Sequence, residues 1–201
     1  MTNSTDGKII RLSQHLNLDE FTYSITAIRN KIDNTLPQSL MPNARLCAEM
    51  IFEPVRALLG GIPRTINSGY RCQRLNQLVD GSPTSQHMAA SAIDIGMRDG
   101  ENIYLAFLKL LKAKDFVFDQ LLIEGVSASN PLSGWLHASW NSLNVRGKLD
   151  SGFHPNAVQR KDVMIVTFDT EGRKSTRSVT IAEAIQWAEN RLEKLNAKRK
   201  A

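Results

Sequence analysis

The chain has 201 residues, 42% hydrophobic and 22% charged, which suits a soluble globular protein with one well-buried domain and a small appendage. No apolar run approaches the roughly 18–20 residues that span a bilayer, and residues 1–7 lack the basic-then-apolar pattern of a secretory signal, so synthesis in the cytoplasm is expected. The net charge of +5 and pI near 9.4 come from dispersed cations, apart from the tail Lys194, Lys198, Arg199 and Lys200, so a nucleic-acid partner is not expected.

In chain order, Asn17 and Glu20 have the spacing of a capping box, and Phe21, Ile25 and Ile28 would form an apolar stripe along the helix it starts. His15 reads as a surface or packing histidine. Asn43 is placed to cap a second helix carrying Leu46, Met50, Ile51, Val55, Leu58 and Leu59, kinked at Pro54 and stopped by Gly60-Gly61. Cys47 in this helix and Cys72 stand in unrelated contexts and read as reduced thiols. Residues 64–67 are a short strand and 71–79 a helical turn. In 91–97 the alternation of Ile93, Ile95 and Met97 marks the apolar face of a strand. Asp99-Gly100 opens a helix bearing Ile103, Phe107, Leu110 and Leu111, and strands follow at 118–124, ending at Gly125, and at 134–140. Residues 141–160, with His154, form an irregular connector. A hairpin is expected from 162–168 and 174–179, and then a helix that Thr180 and Glu183 cap. The fold class expected is α+β, a small antiparallel or mixed sheet with helices on one side. Residues 8–145 would form one domain and 146–201 a C-terminal extension of connector, hairpin and helix.

Asp94 departs from the apolar pattern of its strand. It projects opposite Ile93 and Ile95, where an unpaired carboxylate would lose several kcal/mol of hydration. His87 lies seven residues earlier, just past the turn formers Gly81-Ser82-Pro83, so the chain can fold back to it. With His137, the candidate third ligand, which shares a strand face with Trp135 and Ser139, these residues would make a catalytic zinc site that keeps a position for water; the bland alternative is a hydrogen-bonded structural pair of His87 and Asp94. Arg71 suits a substrate carboxylate, because a guanidinium grips such groups bidentately, and Ser85 and Gln86 flank His87 where they can position a substrate backbone. Glu124 is favoured over Asp119 as general base, the two lying on opposite faces of one strand.

Ser68-Gly69-Tyr70-Arg71, Ser85-Gln86-His87 with Asp94 seven residues on, Phe118 through Glu124, and Trp135-Leu136-His137-Ala138-Ser139 together resemble the zinc D-Ala-D-Ala carboxypeptidase family. The likeness covers roughly residues 10–145. It implies a hedgehog-like fold, zinc held by His87, Asp94 and His137, Arg71 as the substrate-binding arginine, and hydrolysis of peptidoglycan stem peptides by bacterial or phage enzymes, of D-Ala-D-Ala carboxypeptidase or L-Ala-D-Glu endopeptidase type. A phage lysin is among the expected kinds, and the site of action would be the bacterial cell wall, which a basic surface suits. Two positions depart from the pattern. Ala90 stands where the family usually has glycine, which reads as a small steric change, and Gly134 stands where many members carry an acidic residue. The second departure keeps open a non-catalytic, metal-containing wall- or protein-binding module.

Overall fold

The computed structural model describes residues 9–141 and 158–200. His154 and most of the expected connector lie outside the described residues. The Asn17–Glu20 capping box is present and opens α1, Leu18–Thr22. The stripe does not continue from it. Tyr23 turns extended, and Ser24 caps a separate short helix, α2, Ile25–Arg29. Phe21 is fully buried while Ile25 and Ile28 face solvent at 46% and 60% exposure, because the Ser24 hydroxyl oxygen accepts from the Ala27 N–H and starts a separate helix.

The next helix, α3, spans Met41–Cys47. Asn43 is inside it, buried, and donates to the Ala89 carbonyl instead of capping. A π-helical turn, Ala48–Phe52, then leads into α4, Glu53–Leu58. Pro54 thereby falls in the first turn of α4, where its missing N–H needs no partner, and the wider turn before it replaces the expected kink. β1, Ile66–Ser68, α5, Gln73–Leu78, β2, Ala92–Gly96, and α6, Ile103–Lys112, follow. The remaining elements are β3, Gln120–Ser127, β4, Trp135–Ser139, β5, Asp162–Phe168, β6, Lys174–Val179, and α7, Ile181–Lys200.

The six strands make one mixed sheet in the order β1-β2-β4-β3-β5-β6. All neighbours are antiparallel except β3 and β5. Strand β3 does not stop at Gly125. That residue has φ +74° and sits at a register shift in the pairing with β5, a bulge after which the strand continues to Ser127.

One face of the sheet is apolar. Ile93, Ile95, Leu121, Ile123, Leu136, Val163 and Ile165 are buried in a single core with Tyr104, Phe107 and Leu110 of α6, each large aliphatic contributing about 1.5–3 kcal/mol by burial. Ala184 and Ala188 of α7 belong to the same core, and Trp187 meets Tyr104 edge to face at 5.5 Å. The hairpin and helix expected in the C-terminal extension are thus continuous with the sheet and core of the preceding residues. The opposite face is left for polar side chains.

Candidate metal centre

On that opposite face, Asp94 of β2, His137 of β4 and Leu122 of β3 stand in one cross-strand row. Strand alternation puts Trp135 and Ser139 on the face of His137, and Gln120 and Glu124 on the face of Leu122. His87 reaches the row from the turn before β2. Its Nδ1 lies 2.6 Å from the Gly69 carbonyl. A carbonyl only accepts, so Nδ1 carries the proton and Nε2 presents a lone pair.

That lone pair meets two other ligand atoms. His87 Nε2 is 3.2 Å from His137 Nδ1 and 3.3 Å from Asp94 Oδ1, and His137 Nδ1 is 2.9 Å from the same oxygen. A tetrahedral zinc with ligands at about 2.0–2.1 Å spaces them about 3.3 Å apart, so two imidazoles and a carboxylate of this geometry fit the ion. All three residues are buried. Burial disfavours the imidazolium and, with Arg71 and His137 nearby, lowers the His87 pKa against the opposing pull of Asp94. For Asp94 burial acts upward, but His87 and His137 outweigh it and hold the carboxyl well below the usual carboxylate range. Neutral imidazoles and an ionised carboxylate are the protonation states that a metal takes.

Arg71 approaches from the β1 side. Its guanidinium pairs with Asp94 Oδ2 at 2.5 Å, lies 3.3 Å from His87 Nε2, and donates from Nε to Ser68. Ser85 lines the groove over the row. Gln86 also borders it but is 5% exposed, and its amide is engaged inward. It donates to Asp119 and to the Trp140 carbonyl and accepts from Ser139 at 2.7 Å. That link ties the His87 turn to the strand of His137. Asp119, fully buried, also receives the backbone N–H and the guanidinium of Arg160.

Glu124 borders the groove, and its Oε2 accepts a 3.0 Å hydrogen bond from Trp135 Nε1. Diagonal neighbours on paired strands stand about 7–8 Å apart, which puts Glu124 within reach of a water beside His137. The space over Gly125 is filled by the Trp135 ring, 2.5 Å from where a Cβ would lie. At Gly134, φ +105°, a Cβ would fall 2.1 Å from the Glu124 carbonyl, so this backbone excludes an acidic side chain there. Ala90, fully buried, has φ +55°. The preference for glycine at this position is therefore conformational, not the small steric matter expected, because the His87 turn ends in the left-handed region.

A family model described as Peptidase M15 matches residues 14–125, more than half of the chain. The chain belongs to peptidase family M15. M15 peptidases are zinc-dependent, and the coarse function is that of a metallopeptidase acting on peptidoglycan. The matched span of this M15 chain holds Arg71, His87, Asp94 and Glu124 but ends before His137, whose place rests on the cross-strand row. No curated protein matches the chain. No described helix is long and apolar enough to cross a membrane. Two further residues hold the carboxylates at the site, Trp135 on Glu124 and Arg160 on Asp119. Alternation already placed Trp135 on the His137 face, whereas nothing local marks Arg160 as the partner of a carboxylate 41 residues earlier.

Proposed function

We propose that the protein hydrolyses a peptide bond in the stem peptides of peptidoglycan, with zinc held by His87 Nε2, the Asp94 carboxylate and His137 Nδ1. The supporting observation is the convergence of these three atoms, 2.9–3.3 Å apart, under a groove of about 1020 Å³. Zinc bound there supplies a Lewis acid and a water of lowered pKa.

Glu124 is assigned as general base. Its carboxylate takes a proton from the attacking water and returns it to the amide nitrogen, so that the C–N bond breaks to a carboxylate and an amine. The Trp135 N–H holds one Glu124 oxygen and leaves the other for this exchange. Asp119 is set aside as base because its oxygens are committed to Arg160 and Gln86. Arg71 is assigned to a substrate carboxylate and Ser85 to the substrate backbone. Gln86 acts on substrate only through the position it gives His87. Residues 8–145 carry every group so assigned. The site of action would be the cell wall, reached by release from the producing cell or as part of a phage.

Digestion of purified muropeptides by zinc-loaded protein, followed by mass analysis, tests the reading. Products cut at a D-Ala-D-Ala, L-Ala-D-Glu or cross-bridge bond, lost with a chelator and restored by zinc, are expected. Intact muropeptides beside one bound zinc per chain would instead support a non-catalytic wall-binding module.

A further inference from the structure

The groove does not end at the metal centre. Beyond His137 it runs over Leu122 and Met164 to Lys174, the first residue of β6. Leu122 pairs with Met164 across the parallel β3–β5 ladder, and Lys174 pairs with Phe168, four residues beyond Met164 on β5. An even separation keeps Met164, Phe168 and Lys174 on one face. The C-terminal hairpin therefore lengthens the floor on which the metal cluster stands.

Three cations line this groove among the described residues. Arg71 pairs with Asp94, and Arg160 pairs with Asp119 and Asp162. Lys174 is exposed and has no acidic or hydrogen-bonding partner among the described residues. Three strand spacings separate the strand of His137 from that of Lys174. At about 4.8 Å each they amount to roughly 14 Å, and Lys174 stands four residues, about 13 Å, along the strands from the row of His137, so the two are roughly 20 Å apart, the length of about six extended residues.

Resting on the peptidase reading above, we propose that Lys174 and Met164 form a subsite for an acidic peptide. In it Lys174 receives a substrate carboxylate about six residues from the scissile bond, while Met164 and Leu122 pack against the intervening chain. A substrate that reaches both the metal and Lys174 extends about six residues to one side of the bond that is cut, so a cross-linked stem peptide, with carboxylates on both strands, is the preferred class. A dipeptide terminus would leave this half of the groove empty.

The test compares cross-linked stem-peptide dimers with free carboxylates against the same dimers with those carboxylates amidated, on wild type, Lys174→Gln and Lys174→Glu. An exposed ion pair of up to about 1 kcal/mol corresponds to a preference of about 3–5-fold. Wild type is expected to favour the free acid in kcat/KM, through Arg71 and Lys174 together. Lys174→Gln lowers that preference by about 3–5-fold through KM and not through kcat, and Lys174→Glu lowers it further. Equal preference in wild type and Lys174→Gln would overturn the subsite while leaving the peptidase intact. If no dimer is cleaved by any variant, the peptidase reading fails. Equilibrium binding of the two dimers to zinc-loaded wild type and Lys174→Gln then decides the subsite separately, with unchanged binding overturning it.

Discussion

Asp119 and Glu124 are carboxylates in opposite circumstances. Asp119, just before β3, is fully buried and held by Arg160 and Gln86. Glu124, near the bulge, borders the groove and accepts one hydrogen bond from Trp135. A carboxylate surrounded by donors is fixed in one charge state and position, which suits it to hold other groups. One beside a groove, with an oxygen that has no partner among the described residues, can exchange a proton. The polar layer beneath the metal residues and the open groove above them thus divide structure from chemistry, five residues apart in one segment.

The sharpest way to break this division is at the cluster itself. His137→Ala removes one of three ligands, and loss of stoichiometric zinc together with all zinc-dependent hydrolysis is expected; metal analysis after dialysis checks it, and full occupancy would remove His137 from the site. Next in size is the buried layer. Arg160→Met strips the main cation from a fully buried Asp119, and a loss of about 3 kcal/mol is expected, read from denaturant unfolding. The double variant Arg160→Met/Asp119→Asn should recover most of that loss, because no buried charge is then left unpaired. A comparably large effect of Arg160→Met on kcat in the protein that remains folded would erase the contrast between the two carboxylates. The smallest effect belongs to the turn that carries His87. Ala90→Gly relieves a left-handed backbone at the cost of one buried methyl, and a stabilisation of about 0.5 kcal/mol is expected in the same unfolding measurement.

The parts of this arrangement legible in the sequence are those written locally. Alternation in 91–97 and 134–140 placed Asp94 and His137 on polar faces, and the structure sets them opposite each other in one row. The hairpin at 162–179 and the Thr180–Glu183 box were readable from turn and cap chemistry and are present. Features that depend on distant partners were not readable. Ile25 and Ile28 keep helical spacing, but a capping serine redirects the chain and leaves them exposed. Gln86 looked like a substrate contact beside His87, yet its partners Asp119 and Ser139 come from segments 33 and 53 residues away. The parallel pairing of β5 with β3, which makes the C-terminal hairpin part of the groove, has no signature in either strand alone.

The most direct measurement is zinc content and turnover, taken together, for Glu124→Gln and Asp119→Asn on the same muropeptide. Glu124→Gln is expected to keep one zinc and a native melting temperature while losing about 100-fold or more in kcat, the size of general-base catalysis. Asp119→Asn is expected to lose stability and to retain kcat within a few-fold in its folded fraction. Near-normal turnover in Glu124→Gln, with turnover abolished and zinc retained in Asp119→Asn, would contradict the assignment and exchange the roles of the two carboxylates.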